Sequence, residues 1–293
     1  MKPLDLLELF TLGFLWGGSF LFMRIASPEF GAVPLIAVRV TVASLFLLPF
    51  LLHAGRIGVL RERLLPLTFV GVVNSALPFC LFAFATLSLS AGFTAVINAV
   101  APLFTALVAL LWLGERLSRL GVAGLLTGLV GVILLVWDKL NFRGDAITIG
   151  ICAAMLASFS YGVAANYTRL RLTGVGSLEI ATGSQVAAMV VLAPLCVWLW
   201  PATMPSAGAW VSVLVLGVAS TGIAYILYFR LIARLGPSRA ITVTFLVPLA
   251  AMVMGAVFLD EEVTTDMMIG CGLILLGTAL ATGLIRPLRW GAQ

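Results

Sequence analysis

Apolar residues dominate the chain in runs of about 20, the length a helix needs to cross a hydrocarbon core of about 30 Å. Backbone groups in lipid must be hydrogen-bonded internally, and these runs are too long for the strands of a barrel. The pattern therefore predicts an all-α membrane protein with ten transmembrane helices. The predicted spans are 5–26, 32–53, 64–86, 91–113, 119–137, 147–169, 177–200, 207–232, 238–259 and 266–285.

Composition agrees with this interpretation. The 293 residues are 62% hydrophobic and 10% charged, whereas soluble domains carry about 25% charged residues. No stretch is long and polar enough to form an extramembrane domain, so the lipid bilayer is the main partner that we expect, and nucleic acid is not expected. The four cysteines stand singly in apolar runs, and there is one histidine. This usage predicts no metal site and no cofactor.

The distribution of Lys and Arg predicts the orientation. If the N-terminus is cytoplasmic, 13 basic residues fall on the inner side and three, Arg24, Lys139 and Arg143, on the outer side. The inner set is Lys2, Arg56, Arg61, Arg63, Arg116, Arg119, Arg169, Arg171, Arg230, Arg234, Arg239, Arg286 and Arg289. Because cytoplasmic loops carry an excess of Lys and Arg, we expect both termini in the cytoplasm.

An internal repeat divides the chain into residues 1–140 and 141–293. At a shift of 146 residues Phe79 meets Tyr225, Pro102 meets Pro248 and Glu115 meets Glu261. Near the start of each half the shift is 145, and Trp16 meets Tyr161. Each half holds five predicted helices, an odd number, so the halves must be inverted. Inverted repeats are typical of secondary transporters, whose substrate site lies near mid-membrane where the halves meet.

These motifs resemble the EamA-type, ten-helix branch of the drug/metabolite transporter superfamily. The resemblance covers essentially the whole chain and rests on the order and spacing of its pieces. They are Leu15-Trp16-Gly17, Arg39, Leu87-Ser88-Leu89-Ser90-Ala91-Gly92, Pro102, Leu113-Gly114-Glu115-Arg116, Gly124, Gly128, Gly131, Pro248, Leu259-Asp260-Glu261, Gly270 and Gly277. It implies a transporter, and bacterial amino-acid exporters are the nearest likeness. The second half departs from the pattern: Ser184 and Gln185 stand where Arg39 is expected, and Asp260 replaces Gly114.

Arg39 is the one charge placed well inside a predicted span. A charge at that depth is a functional candidate by default, and its guanidinium is suited to a substrate carboxylate. The alternative is a structural arginine that binds helix-end carbonyls or reaches toward the outer surface. The resemblance makes this arginine a feature shared across varied substrates, which favours the structural alternative.

Polar residues recur on one face of two predicted helices. The fourth helix places Thr94, Asn98 and Thr105 at helical spacing with Pro102, and the third does so with Asn74 and Ser75. Thr244 is the repeat-equivalent of Asn98. Such stripes face the protein interior or a wet cavity. Packing between helices is the alternative, and it is favoured for the hydroxyl residues.

Aromatic residues supply the candidate cavity walls. Trp16 and Tyr161 are repeat-equivalent, as are Phe79 and Tyr225, so the four could surround one central space. Aromatic rings hold apolar side chains and, through the ring face, ammonium groups. The alternative is that these rings belong to the core or face lipid. The candidate substrate-binding residues are Trp16, Arg39, Asn74, Phe79, Thr94, Asn98, Tyr161, Tyr225 and Thr244.

Carboxylates and glycines at the remaining positions fit structural roles. Glu115 and Glu261 stand at span ends, where we expect each to cap the next helix or to pair locally, Glu115 with Arg116 or Arg119. Since no acidic group is evident within a span, we expect weakly coupled or uncoupled transport. Glycines of the fifth and tenth helices predict close packing, within one subunit or across a homodimer.

The sequence therefore predicts a transporter of the bacterial inner membrane that exports small metabolites, foremost amino acids. Alternating access between the repeats is the expected mechanism, with a small-molecule substrate and a monomeric or homodimeric state. Drugs or other hydrophobic metabolites are the alternative substrates, and a channel or a non-transporting receptor is the alternative role. An enzyme is not expected, because no buried acid pair or serine–histidine arrangement is evident.

Overall fold

The computed structural model describes residues 3–139 and 145–284, and this part of the chain is helical with no strand. Eight helices are long and apolar enough to cross a membrane, and two further apolar helices are shorter. We number them α1 (Pro3–Phe30), α2 (Ala32–His53), α3 (Leu64–Ala85), α4 (Ala91–Leu113), α5 (Arg119–Val136), α6 (Ala146–Arg171), α7 (Ser177–Trp198), α8 (Ala207–Leu235), α9 (Val243–Leu259) and α10 (Thr265–Ala281). The prediction of an all-α, multi-pass membrane protein is confirmed, and each helix overlaps one predicted span.

Short helical pieces complete the described chain. A five-residue helix (Gly58–Glu62) precedes α3, a 3₁₀ turn (Trp137–Lys139) follows α5, and a four-residue helix (Pro237–Ala240) precedes α9. The span predicted over 238–259 is therefore divided in two, with a turn at residues 241–242.

Helix α4 is also interrupted, between Asn98 and Ala101. Pro102 explains the break, because it has no N–H to donate to the carbonyl of Asn98 one turn earlier. The carbonyls near the break find other partners: Ser158 of α6 donates to Ile97 O at 3.2 Å, and Thr278 of α10 to Ala99 O at 3.4 Å. Helices α6 and α10 thus support the broken centre of α4.

Two π-helical turns lie at repeat-equivalent positions. Residues Val72–Ala76 form one within α3, and Val218–Ile223 form the other within α8. A shift of 146 places the first turn on the second. A π turn leaves backbone groups imperfectly matched and is frequent at functional sites. Each turn carries two polar residues, Asn74 and Ser75 in α3 and Ser220 and Thr221 in α8.

Helices α5 and α10 pack at backbone distance through their glycines. A Cβ on Gly277 would lie 2.5 Å from the backbone nitrogen of Gly128, and a Cβ on Gly131 2.9 Å from that of Ile274. Only glycine allows this approach. The predicted close packing is confirmed, and it occurs within one chain.

The two ends of the bundle differ in charge. We call the end at which α1 begins the near side and the end at which it finishes the far side. On the near side Glu8 is 7% exposed and bonds Arg230 at 2.9 Å and also Arg234, so that α1 is tied to the end of α8. On the far side Glu29 accepts bonds from the backbone N–H and hydroxyl of Ser206.

Candidate functional site

A central cavity of about 720 Å³ lies among the helices. Residues of α1, α2, α3, α4, α6, α8, α9 and α10 line it. Eight of the nine predicted site residues are among them: Trp16, Arg39, Asn74, Phe79, Asn98, Tyr161, Tyr225 and Thr244. Residues from both sequence halves therefore meet in one space, with the repeat pairs Trp16/Tyr161, Phe79/Tyr225 and Asn98/Thr244 all present.

Thr94 is the ninth, and its side chain lies outside the lining of this cavity. Its side chain is fully buried, and its hydroxyl donates to the carbonyl of Ser90 at 2.8 Å. The prediction treated α4 as one straight helix with one polar face. Because α4 breaks after Asn98, only its second segment continues along the cavity, and the first packs against α9, where Gly92 faces Met252.

Arg39 lines the cavity and is buried, with 4% of its surface exposed. Its Nε donates to Thr221 Oγ1 at 3.0 Å, and its Cζ stands 4.0 Å from the ring centre of Phe79, a cation–π contact. Nη1 is 3.8 Å from the sulfur of Met23, a weak acceptor. None of the ion pairs among the described residues includes Arg39. The guanidinium is therefore positioned by the protein without being neutralised by a carboxylate.

Gln185 is the structural counterpart of Arg39, and sequence comparison left this open between Ser184 and Gln185. Its Nε2 donates to Ser75 Oγ at 2.8 Å, just as Arg39 donates to Thr221, and Ser75 and Thr221 are themselves repeat-equivalent. Gln185 has no exposed surface, and its Oε1 has no hydrogen-bond partner among the described residues. The shared hydrogen-bonding pattern, which only the structure reveals, fixes the correspondence.

Aromatic rings form much of the cavity wall. Trp16 lies 5.2 Å from Tyr228, and Phe82 lies 5.9 Å from Tyr161, measured between ring centres. Phe20 meets Phe82 edge-on at 5.5 Å. Rings in such contacts hold one another in place, so the wall is preorganised for an apolar or cationic group.

Amide groups add polarity to the same wall. Asn98 stands at the α4 break, and its Oδ1 has no partner among the described residues. Asn166 of α6 also lines the cavity; its Nδ2 donates to the carbonyls of Thr105 and Gly162 at 3.0 and 2.9 Å. The sequence did not predict Asn166 as a site residue, because its repeat-equivalent is the apolar Leu21 and no polar pair relates the two halves at this position.

At the near-side mouth of the cavity Glu115 forms an ion pair with a residue other than the one predicted from the sequence. Glu115, just after α4, binds Arg169 near the end of α6, where Arg116 or Arg119 was the expected partner. The two side chains are 43% and 60% exposed, and both line the cavity. Arg169 is 54 residues away from Glu115 in sequence, so the pair depends on the packing of α4 against α6. An acidic group thus lines the mouth of the cavity.

The far side is closed by the repeat-equivalent residues. Both carboxylate oxygens of Glu261 accept the N–H of Ala91 at 2.9 Å, and Arg24 Nε lies 3.9 Å from Glu261 Oε1. Nη1 of Arg24 donates to the carbonyls of Thr86 and Leu87 at the end of α3. Glu261 was expected to cap the next helix or pair locally; it caps α4 of the other half, and Thr264 caps α10. Neither Arg24 nor Glu261 lines the cavity.

The chemistry of this cavity is that of binding. Among the described residues no group of three or more His, Cys, Asp or Glu is placed to hold a metal ion. The cavity instead offers a fixed cation, amides, hydroxyls and aromatic faces, open on one side and closed on the other. These groups suit a small molecule with an anionic end and an apolar or cationic end.

Known proteins of similar sequence are transporters. A protein of Streptantibioticus cattleyicolor named a probable terminal-alkyne amino-acid exporter is 28% identical over 90% of this chain and 89% of its own. The uncharacterised inner membrane transporter YedA of Escherichia coli K12 is 26% identical, over 94% of this chain and 89% of its own. A probable amino-acid metabolite efflux pump of the same organism is 23% identical over 75% of both chains.

The fold occurs in a solved crystal structure that covers 100% of both chains with a TM-score of 0.71 and 22% sequence identity. The model of the EamA-like transporter family matches the chain twice, at residues 6–137 and 148–283. The two matches account for the internal repeat and for the paired residues around the cavity. The chain therefore belongs to the EamA-like transporter family of the drug/metabolite transporter superfamily.

Proposed function

We propose that this transporter exports small metabolites, foremost amino acids, across a bacterial inner membrane by alternating access. In this proposal the chain crosses the bilayer ten times as two inverted five-helix repeats, with both termini in the cytoplasm. The near side is then cytoplasmic, and the cavity open toward it is the form that collects substrate for export. The bilayer and the small-molecule substrate are its partners, as a monomer or homodimer without nucleic acid.

The observation that carries the proposal is Arg39. This arginine is 4% exposed, is oriented by Thr221 and Phe79, and belongs to no ion pair among the described residues. Its guanidinium is therefore suited to donate hydrogen bonds to the carboxylate of a ligand. Charge-assisted bonds of this kind contribute about 1.5–3 kcal/mol. The aromatic wall then receives the apolar side chain, and Asn98, whose buried Oδ1 has no hydrogen-bond partner among the described residues, is the polar group assigned to the ammonium end.

Two relatives support the substrate class by name, the amino-acid exporter of Streptantibioticus cattleyicolor and the efflux pump of Escherichia coli. Phosphorylated substrates fit the cavity poorly, since Arg39 is the only buried cation among the described residues that line it, and Arg169 at the mouth is exposed. Aromatic and branched amino acids match its rings better than acidic ones do.

Counterflow in proteoliposomes tests the proposal. Purified protein is reconstituted with or without a millimolar internal pool of each amino acid, and uptake of the labelled form is followed. Saturable uptake accelerated by the internal pool is expected for at least one aromatic or branched amino acid, and this acceleration distinguishes a carrier from a channel. Flat traces for every amino acid, from protein of verified folding, would refute the substrate class.

Hydrophobic drugs or metabolites without a carboxylate are the second candidate, because most of the lining side chains are apolar. In that case Arg39 would be a structural residue. Competition by such compounds, undiminished when Arg39 is replaced, is the result that would favour them.

A further inference from the structure

The two sides of the bundle carry the same pair of residue types at repeat-equivalent positions. Arg24 and Glu261 stand on the far side, and Arg169 and Glu115 on the near side. In each pair the arginine comes from one half of the chain and the glutamate from the other. Each pair therefore links the two halves, on opposite sides of the bundle, and only the near-side pair lines the cavity.

The pairs are in different states. Glu261 is 12% exposed and binds the first N–H group of α4 as well as Arg24, and its Oε2 lies 3.4 Å from the N–H of Gly92. Glu115 is 43% exposed, and Arg169 is the residue that donates hydrogen bonds to its carboxylate in the described part of the chain. A Cβ on Gly236, the repeat-equivalent of Ser90, would meet no atom within 4 Å, so the segment that follows α8 borders open space.

We propose that Glu261 and Glu115 are the gate residues of this transporter, each sealing one side by binding backbone of the opposite half, Glu261 at the start of α4 and Glu115 just before α9. The inference rests on the proposed alternating access and adds the residues that alternate. In the form described here the Glu261 seal is made and the Glu115 seal is open. In the opposite form Glu115 binds the backbone at residues 236–238, and Glu261 releases Ala91.

The sequence makes the two seals unequal. Position 91 is alanine, whose N–H binds Glu261 at 2.9 Å, but its repeat-equivalent is Pro237, which has no N–H. Ser90 also caps α4 through its hydroxyl, whereas Gly236 has no side chain to do so. The near-side seal is therefore the weaker one, and the resting protein favours the form that is open on the near side.

Accessibility of one engineered cysteine measures which side is open. The four natural cysteines are replaced by alanine, and Ala101→Cys places a thiol at a half-buried position of the cavity wall. In proteoliposomes of known orientation, a membrane-impermeant maleimide is applied from one side at a time without substrate. Labelling of the parent is expected mainly from the near side.

Glu261→Gln is expected to raise far-side labelling about tenfold, the change in an equilibrium that follows loss of one charge-assisted hydrogen bond. Adding Glu115→Gln to that variant should return labelling to the near side, because both seals are then weakened. Glu262→Gln is the matched control: Glu262 is exposed, and its replacement should change neither rate. If Glu261→Gln does not fold, Ala91→Pro removes the same N–H at a helix position that tolerates proline.

Pro237→Ala tests the inequality. It restores an N–H to the weaker seal, and far-side labelling should rise about threefold, as for one added hydrogen bond of modest strength. The rise should vanish when Glu115 is glutamine. Equal labelling in Glu261→Gln and the parent, or a Pro237→Ala effect independent of Glu115, would overturn the gate assignment. Because labelling needs no substrate, a failure of amino-acid transport leaves this result interpretable.

Discussion

Arg39 and Gln185 occupy the same place in the two halves, and they differ in what they offer the cavity. Each donates one hydrogen bond to a hydroxyl on the π turn of the other half, Arg39 to Thr221 and Gln185 to Ser75. Arg39 lines the cavity and is charged, whereas Gln185 is neutral and fully buried away from it. The scaffold repeats, but the buried positive charge is present in one half only.

This difference separates two roles that a repeat protein would otherwise combine. The hydrogen bond between helix and π turn is present in both halves, so we interpret it as part of the architecture. The positive charge is present in one half, so we interpret it as part of recognition. Changes at Arg39 should therefore affect substrate handling, and changes at Gln185 should affect packing.

The largest effect is expected from Arg39→Gln, which copies the second half into the first. The amide can keep a bond to Thr221, but the cation is lost, and the apparent affinity for an amino acid should fall about a hundredfold. Concentration dependence of counterflow measures it. Gln185→Ala is the comparison variant, expected to change affinity less than about threefold.

Thr221→Val and Ser75→Ala remove the two repeat-equivalent hydroxyl groups, which lie one step further from the substrate than Arg39 does. Loss of the Thr221 hydroxyl releases Arg39 Nε, so affinity should fall about tenfold. Loss of the Ser75 hydroxyl frees only Gln185, and transport should stay close to that of the parent. Equal losses of affinity in both variants would show that the two positions do not differ in role.

Packing of α5 against α10 is a symmetric feature and should respond through stability. Gly277→Ala places a methyl group 2.5 Å from a backbone nitrogen, which should destabilise the fold by about 1–3 kcal/mol. On the same helix a Cβ at Gly272 would meet nothing within 4 Å, so Gly272→Ala should be neutral. Thermal unfolding in detergent measures both, and a similar loss at Gly272 would contradict the packing account.

The smallest effect is expected where the halves differ in a turn. Gly114 and Asp260 both end their helices in the left-handed region, with φ of 67° and 52°. The Cβ of aspartate makes this backbone conformation less favourable than it is for glycine. Asp260→Gly should therefore stabilise the protein by up to about 1 kcal/mol. Gly114→Asp should have the opposite sign. A loss of stability in Asp260→Gly would indicate that the carboxylate has a partner of its own.

Much of the fold could be predicted because the signals are local. Apolar runs bounded by glycine and proline predicted α2 over 32–53, and the structure has Ala32–His53. The repeat alignment also paired Trp16 with Tyr161 and Asn98 with Thr244, and all four residues line the cavity. Side-chain pattern and sequence symmetry were sufficient for these features.

Other features depend on contacts that no local pattern contains. Thr94 lies outside the cavity lining because the α4 break ends the regular helical spacing that aligned it with Asn98 in the sequence. The π turns at Asn74 and Thr221 also interrupt the regular α-helical spacing of side chains along α3 and α8. The partners of Glu115 and Glu261 lie 54 and 170 residues away in sequence, so only the assembled helices reveal them.

We assign to Arg39 the binding of the carboxylate of the transported amino acid. Competition of an amino acid and its carboxamide for counterflow, in the parent and in Arg39→Gln, tests it most directly. We expect the parent to prefer the amino acid by at least about tenfold and Arg39→Gln to lose this preference. An equal preference in both proteins would contradict the claim and would make Arg39 a structural residue.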